Sequence, residues 1–352
     1  MGLKILHSAD WHMDSPFGGF EPEKQEYLKQ ELRKIPGKIA DLCRRENCDL
    51  VLLSGDIFDS ITGWESADIV RNALRDCGVP VFIAPGNHDY LTSSSPWLAI
   101  SWPENVYIFT VGMQSVSMPK LDCRIYGAGY RGMECSPLME NFKAEGPERY
   151  KIAVLHGDPM RLRSPYCPVT TAQVRDSGLD YVALGHIHKC GSFRAKQSLC
   201  AWPGAPMGRG FDETREKGVY IVELGERCSS RFVALDTPRF YDLEVDTDHQ
   251  DIGQLLPAAD RGDFYRVTLT GSTGDKLEIL KETYGYLQNL EFVDNREMKP
   301  DPWEHVGDDT LEGAYFRLLQ GKLSSASDAE AGIIQLAADL SRVILDGKEV
   351  VL

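Results

Sequence analysis

The chain has 352 residues, 42% apolar and 26% charged, which is typical of a globular protein with one large and one smaller domain. No apolar run approaches the roughly 18 residues that cross a bilayer, and the opening MGLKILHSADWH lacks the pattern of a signal peptide. We therefore expect a cytoplasmic protein. Its nine irregularly spaced cysteines, with no CxxC pair, favour reduced thiols over a disulfide framework.

The net charge of −15 is unevenly distributed along the chain. Residues 240–352 contain 23 acidic and 10 basic residues, a net of −13, which leaves 30 and 28, a net of −2, for residues 1–239. The total charge argues against binding nucleic acid by simple electrostatic attraction. The nearly neutral first two thirds still allows a phosphodiester substrate, provided that cations lie at the site.

The first 225 residues alternate short apolar strands with helices. The strands are rich in Val, Ile and Leu without strict alternation, as expected when both faces of a sheet are buried. They are predicted at 3–9, 49–56, 79–86, 150–157 and 179–186, with second-sheet strands at 123–130 and 217–224. Helices are predicted at 23–46 and 65–77. This order indicates a layered α/β fold.

A linker that contains proline, near 235–245, precedes a smaller α+β region. Strands are expected at 241–246, 264–270 and 290–294, a short helix at 251–258, a helix at 275–288 and a loop at 295–310. Two helices follow, at about 310–322 and 328–346, and Ser327 with Glu330 forms a capping-box pattern before the second. Its apolar stripe is expected to pack on its own domain rather than to dock a partner; it comprises Ile333, Ile334, Ala337, Leu340 and Ile344. The predicted domains are 1–238, 239–310 and 311–352.

Metal-binding residue types follow each strong strand of the first region. Six of the eight histidines lie in or beside these segments, and the carboxyl ends of strands in an α/β sheet meet in one crevice. The candidates are Asp10 and His12; Asp56 and Asp59; Asn87, His88 and Asp89; His156 and Asp158; His186 and His188. Mixed nitrogen and oxygen ligands suit two ions such as Mn²⁺, Fe²⁺ or Zn²⁺ better than Mg²⁺. Such a pair activates phosphoryl displacement.

The motifs D-x-H, GD-x-x-D, GNHD, H-G and GHIH, in that order, resemble the calcineurin-like metallophosphoesterases over roughly residues 1–225. The segments ILHSADWHMDSPF and WPGAPMGRGFDETREKG are similar to the DNA-repair exonuclease branch, which contains the SbcD nuclease subunit and YhaO-like proteins. The resemblance implies a layered metallophosphoesterase β-sandwich flanked by helices, followed by a small α+β cap domain and C-terminal helices.

The same resemblance implies a role for each candidate residue. Asp10, His12 and His188 would bind one divalent ion, and Asn87, His156 and His186 would bind the other. Asp56 would bridge the two ions, His88 would lie over the scissile phosphate, and Asp89 would orient His88. Mn²⁺ is the expected metal, with Fe²⁺ and Zn²⁺ as alternatives. Asp59 departs from the histidine of archaeal and eukaryotic members, which leaves exonuclease against endonuclease cleavage open.

By resemblance, the chain is expected to be a metal-dependent DNA nuclease of DNA repair that works with an SbcC-type coiled-coil ATPase. The cap would orient DNA, the terminal helices would bind the ATPase, and a homodimer is compatible with the branch. Two alternatives remain: a phosphodiesterase or phosphomonoesterase acting on a small substrate, and a scaffold subunit that serves mainly in assembly. The choice between DNA and RNA is also open.

Several nearby polar residues have a simpler structural interpretation. His7 lies inside the first strand, and a structural role is favoured for it. Asp158 either supports a metal ligand or caps a turn. Asp14, Ser15 and Phe17 either touch the substrate or shape their loop. Four arginines follow site motifs, although a solvated surface role is favoured for each alone: Arg161, Arg163, Arg209 and Arg215.

Overall fold

The computed structural model describes residues 2–59, 63–297 and 301–347. The chain divides into two units. The first contains Met1–Asp242, Ala259–Arg266 and Leu287–Leu290, and the second contains Leu243–Ala258, Val267–Tyr286 and Glu291–Leu352. The three-part domain division stays a prediction. In the described part of the chain, no helix has the length and apolar character needed to cross a membrane.

The first unit contains two six-stranded mixed sheets. The first sheet has the order β12 (Cys228–Ala234), β11 (Gly218–Leu224), β1 (Leu3–Ser8), β2 (Leu50–Leu53), β3 (Val81–Ile83) and β4 (Val106–Ile108). The second has the order β5 (Gln114–Met118), β6 (Cys123–Ala128), β7 (Tyr150–His156), β8 (Tyr181–Gly185), β10 (Ser198–Trp202) and β9 (Gly191–Ala195). Strands β1 to β4 are parallel to one another, as are β6, β7 and β8.

The central strands, such as β2, are apolar on both sides because both of their faces are covered. In β2, Leu50 and Leu52 enter a core with Ile152 and Val154 of the second sheet. Val51 and Leu53 point the other way, into a core formed with the helices. This double burial confirms the layered α/β prediction and explains why the strands show no alternation.

The helices of the first unit are α1 (Pro22–Arg33), α2 (Ile35–Arg45), α3 (Trp64–Asp76), α4 (Pro96–Ala99) and α5 (Thr171–Asp176). The single helix predicted for 23–46 is therefore wrong, since it breaks at Lys34. The cause is Pro36, which has no N–H to donate and is accommodated in the first turn of a new helix.

His7 is confirmed as structural: its ring nitrogens lie 2.7 Å from Tyr181 Oη and 2.8 Å from Ser54 Oγ, and it is buried.

A three-stranded sheet has the order β13 (Phe240–Asp246), β14 (Phe264–Thr270) and β15 (Leu290–Asp294), close to the prediction. The helix expected at 251–258 is only a 3₁₀ turn at Ile252–Gln254. The helix expected at 275–288 is shorter, α6 (Leu277–Thr283). The predicted loop at 295–310 is partly outside the described residues, because 298–300 are not described.

The two terminal helices are α7 (Leu311–Leu323) and α8 (Asp328–Leu345), and the Ser327–Glu330 capping box is present. Arg342 of α8 bonds Glu312 of α7, and Tyr315 Oη lies 2.8 Å from Ser341 Oγ. The expected burial of the apolar stripe is wrong for Ile333 and Ile344, which are exposed. The other three residues of the stripe, Ile334, Ala337 and Leu340, are half-buried.

Candidate metal centre

The predicted ligands lie at the carboxyl ends of five strands from the two sheets. Asp10 and His12 follow β1, Asp56 follows β2 and Asn87 follows β3. His156 ends β7, and His186 follows β8 with His188. Backbone bonds join the loops: the N–H of Asp10 donates to Gly55 O at 3.0 Å and that of His12 to Asp56 O at 3.0 Å.

Four of these ligands have left-handed backbone conformations. The φ angles are 53° for Asp10, 49° for His12, 52° for Asp56 and 91° for His186. Such a conformation costs an L-residue roughly 1–3 kcal/mol and clusters at functional sites. The backbone here is thus held in strained turns that direct side chains into one pocket.

The first group of ligands is Asp10, His12 and His188, whose ligand atoms lie within 4.8 Å of one another. The Nε2 atoms of His12 and His188 are 3.1 Å apart. In the second group, Asn87 Oδ1 lies 2.9 Å from His156 Nε2 and 3.3 Å from His186 Nδ1.

Asp56 lies between the two groups. Its Oδ2 is 3.8 Å from His12 Nε2 and 3.3 Å from His156 Nε2. Its Oδ1 accepts the backbone N–H of His88 at 2.8 Å, which fixes the carboxylate. One carboxylate thus faces an imidazole of each group, as a bridging ligand must.

Two buried polar atoms show that the donor set fits bound cations. Asp10 Oδ2 and His12 Nδ1 are buried and have no hydrogen-bond partner among the described residues. An unpaired buried carboxylate oxygen is costly. Two imidazole nitrogens that face each other also need a proton or a cation between them. The mixed nitrogen and oxygen donors match divalent transition metals.

The tautomer of two ligands is set by hydrogen bonds on their other ring nitrogen. His156 Nδ1 donates to Ser54 O at 2.8 Å, which leaves Nε2 to face Asn87 and Asp56. His188 Nδ1 lies 2.6 Å from Glu213 Oε1, which leaves Nε2 to face His12. Metal-binding imidazoles are oriented in this way by carboxylates and carbonyls.

Burial keeps two imidazoles neutral, while the carboxylates favour positive charge. Burial lowers the pKa of His12 to about 3, and burial together with His156 lowers that of His186 to about 4. Both lone pairs are therefore free to bind a metal at pH 7. Burial opposes charge on His156, but Asp56 outweighs it and raises the pKa of His156 to about 9. The pocket around Asp56 thus favours a cation.

A family model for calcineurin-like phosphoesterases matches residues 3–190. The chain belongs to the calcineurin-like phosphoesterases. The matched segment contains every predicted ligand, from Asp10 to His188. Enzymes of this family hydrolyse phosphoesters with a dinuclear divalent metal site, and the clusters described above are candidates for its ligands.

Three relatives extend the comparison. The uncharacterized metallophosphoesterase YhaO of Bacillus subtilis is 34% identical over 239 residues, which cover 63% of this chain and 57% of YhaO. The SbcD subunit of the nuclease SbcCD of Staphylococcus epidermidis is 24% identical over 80% of this chain and 83% of its own length. The DNA double-strand break repair protein Mre11 of Sulfurisphaera tokodaii is 23% identical over 94% of this chain and 91% of its own.

Asp89 does not make the contact with the His88 ring that the resemblance implied. Its buried carboxylate instead accepts backbone N–H groups, from Gly86 at 2.6 Å and from Ile57 at 2.9 Å. The His88 ring contacts Asp59, with 3.1 Å between Nδ1 and Oδ1, and this bond raises the pKa of His88. The Asp89 side chain is therefore directed toward the loops, and its geometry fits a support for the ends of β2 and β3.

His88 and Asp59 line an open cleft of about 590 Å³ beside the metal pocket. The His88 ring also lies against that of His12, with centroids 4.7 Å apart. A group bound in this cleft would therefore meet the half-buried imidazole of His88, whose ring lies against the predicted ligand His12.

The remaining polar candidates have structural contacts. Asp158 Oδ1 caps a turn, accepting the N–H of Met160 at 2.7 Å and that of Arg161 at 3.1 Å. Asp14 binds the start of α3, through Gly63 N at 2.8 Å and Ser66 Oγ at 2.6 Å. Ser15 and Phe17 are buried.

The arginines divide into two sets. Arg161, Arg163 and Arg215 are exposed, as expected. The surface role expected for Arg209 is wrong, because its half-buried guanidinium lies against Glu213 and His188.

Glu213 itself is not singled out by the sequence. It lies 25 residues after His188, and only burial distinguishes it from the exposed acids beside it.

Proposed function

We propose that this phosphoesterase is a metal-dependent DNA nuclease that acts in DNA repair with an SbcC-type ATPase. The observation that carries the proposal is the arrangement of two ligand groups about Asp56, with His88 beside them in an open cleft. Phosphodiester hydrolysis by two divalent ions requires such an arrangement.

One ion would be held by Asp10, His12 and His188. The other ion would be held by Asn87, His156 and His186, and Asp56 would bind both ions. Bound ions would polarise the phosphate and supply the attacking oxygen at neutral pH. The mixture of four imidazoles with carboxylate and amide oxygens favours Mn²⁺, with Fe²⁺ or Zn²⁺ as alternatives.

His88 would act on the leaving group. Asp59 holds Nδ1 at 3.1 Å, so Nε2 is directed away from this carboxylate. The raised pKa of His88 favours a protonated ring, which can donate from Nε2 to the departing oxygen. Asp89 would serve catalysis only through the backbone that it fixes.

Exposed cations that follow the site segments in sequence support a polyanionic substrate. Four such residues follow site segments, and within residues 2–59, 63–297 and 301–347 none of the four has an ion-pair partner: Arg161, Arg163, Lys189 and Arg215. Lys189 is next to a predicted ligand, and Arg161 and Arg163 lie on the loop after His156. Free positive charges are the groups that neutralise phosphates along a nucleic-acid strand.

Exposed apolar side chains on the terminal helices support a protein partner. Leu311 and Leu318 of α7 and Ile333, Leu336 and Ile344 of α8 are all exposed. Several exposed large apolar side chains on neighbouring helices favour a surface that binds a protein partner. We assign them to the SbcC-type ATPase, because the similarity to the SbcD subunit of the nuclease SbcCD extends over 80% of this chain.

The test is cleavage of labelled single- and double-stranded DNA with Mn²⁺ by the wild type, His88→Ala and His249→Ala. His249 is an exposed histidine bonded to Asp246, so its variant is a matched control. We expect Mn²⁺-dependent cleavage that falls by at least about 10²-fold in His88→Ala and is unchanged in His249→Ala.

Small substrates distinguish the alternatives in the same assay. Hydrolysis of bis-p-nitrophenyl phosphate, p-nitrophenyl phosphate or a cyclic nucleotide without any DNA cleavage would refute the nuclease and leave a small-molecule phosphoesterase. Absence of turnover with every metal, together with binding of an ATPase, would indicate the scaffold role instead.

A further inference from the structure

Glu213 lies in the loop between β10 and β11, and its buried carboxylate receives three cationic or donor side chains. His188 Nδ1 lies 2.6 Å from Oε1, and Arg209 Nη2 lies 3.3 Å from the same oxygen. Lys217 Nζ is 3.8 Å from Oε2. The side chain is only 9% exposed, so this is not an ordinary surface ion pair.

A buried carboxylate is stable only when its charge is compensated. Arg209 and Lys217 supply this compensation, and Lys217 is itself buried. Lys217 Nζ also donates to His188 O at 3.3 Å. The network therefore holds both the ring and the backbone of the same histidine.

The proton on His188 is placed by this geometry. Arg209 Nη2 lies 3.0 Å from His188 Nδ1, but a guanidinium cannot accept a hydrogen bond. The Glu213 oxygen is close to both nitrogens and accepts from both. Nδ1 thus carries the proton, and the Nε2 lone pair faces His12 Nε2 at 3.1 Å.

We propose that Glu213 is a positioning residue that holds His188 in its metal-binding orientation and makes the ring a stronger ligand. It selects the tautomer, prevents a ring flip and places negative charge behind the imidazole, as carboxylates do behind metal-binding histidines. The proposal rests on the metal-binding part of the proposed function and does not depend on DNA being the substrate.

The experiment measures metal binding rather than turnover. Wild type, Glu213→Gln and Glu216→Gln are freed of metal with a chelator and titrated with Mn²⁺ by calorimetry, and with Co²⁺ by visible absorption. Glu216 is the matched control, because it is an exposed acid of the same loop, paired with Arg239. We expect two ions per wild-type chain. In Glu213→Gln one of them should bind about 10-fold more weakly or worse, and Glu216→Gln should match the wild type.

A double-mutant cycle separates positioning from a general effect on folding. If Glu213 acts through His188, Glu213→Gln should not weaken metal binding further in a His188→Ala background. Melting curves of the metal-free proteins identify any variant that does not fold, and Glu213→Asp, which retains the charge, should then recover part of the affinity.

The possible results are distinct. Equal Mn²⁺ affinity of Glu213→Gln and wild type would overturn the proposal. It would also be overturned if Glu213→Gln weakened metal binding as much in the His188→Ala background as in the wild type. If the wild type itself bound no metal, the proposed function would fail before Glu213 was tested. Normal metal binding without DNA cleavage would leave the role of Glu213 intact and remove only the nuclease assignment.

Discussion

Gly86→Ala should inactivate the centre without removing a ligand. A Cβ atom at Gly86 would lie 2.3 Å from Asp56 Oδ1 and 2.8 Å from His156 Nδ1. The backbone of Gly86 is not left-handed, so alanine is allowed there by its φ and is opposed only by lack of space. Asp56 is the carboxylate that faces both ligand groups.

The displacement follows from these distances. Ordinary contact begins at 3.4 Å, so Asp56 Oδ1 must move by about 1 Å. The carboxylate has little freedom, because it is buried and bonded to the N–H of His88. A misplacement of about 1 Å can reduce turnover by about 10²-fold, which corresponds to about 2.7 kcal/mol of lost transition-state stabilisation.

The assay is Mn²⁺-dependent hydrolysis of bis-p-nitrophenyl phosphate, with thermal melting as a check on folding. Gly37→Ala is the control, because a Cβ atom at Gly37 in α2 would meet nothing within 4 Å beyond its chain neighbours and its own helix backbone. It should retain full activity and gain roughly 0.5–1 kcal/mol of stability. Wild-type kcat in Gly86→Ala would refute the argument that the position of Asp56 controls turnover.

Three further outcomes are expected. The double substitution Arg161→Glu with Arg163→Glu should weaken DNA cleavage and reduce its salt dependence, while hydrolysis of bis-p-nitrophenyl phosphate stays unchanged. The control is Arg45→Glu, because Arg45 is also exposed. Equal losses of activity on both substrates would contradict the substrate-binding role. A chelator should lower the melting temperature, since metal at 100 times Kd stabilises by about 2.7 kcal/mol; an unchanged temperature would argue against metal binding. Arg124 lowers the pKa of Glu148 to about 2. The ionised Glu148 carboxylate therefore stabilises the folded protein above pH 4.5, its ordinary pKa, and this stabilisation is lost as the pH falls toward 2. The melting-temperature deficit of Glu148→Gln should therefore be larger at pH 7 than at pH 2.5, and a constant deficit would contradict this linkage.

The strands and the order of the ligands could be predicted because their signals are local. A strand buried on both faces is a short apolar run, such as β2, which is buried throughout and lies inside the segment predicted at 49–56. The break in helix 23–46 also has a local signal, Pro36, to which the prediction gives too little weight. The segment 251–258 contains apolar residues, but only one 3₁₀ turn forms there.

The sequence by itself determined the layered α/β class, the family and the placement of the candidate ligands at strand ends, because residue type and spacing along the chain carry those features. Only the tertiary structure decided which groups support the ligands. Asp59 rather than Asp89 contacts the His88 ring, and Glu213 reaches His188 across 25 positions. Both contacts depend on how separate loops meet. Composition and periodicity do not encode that geometry, since it is set by packing between strands that are distant in sequence.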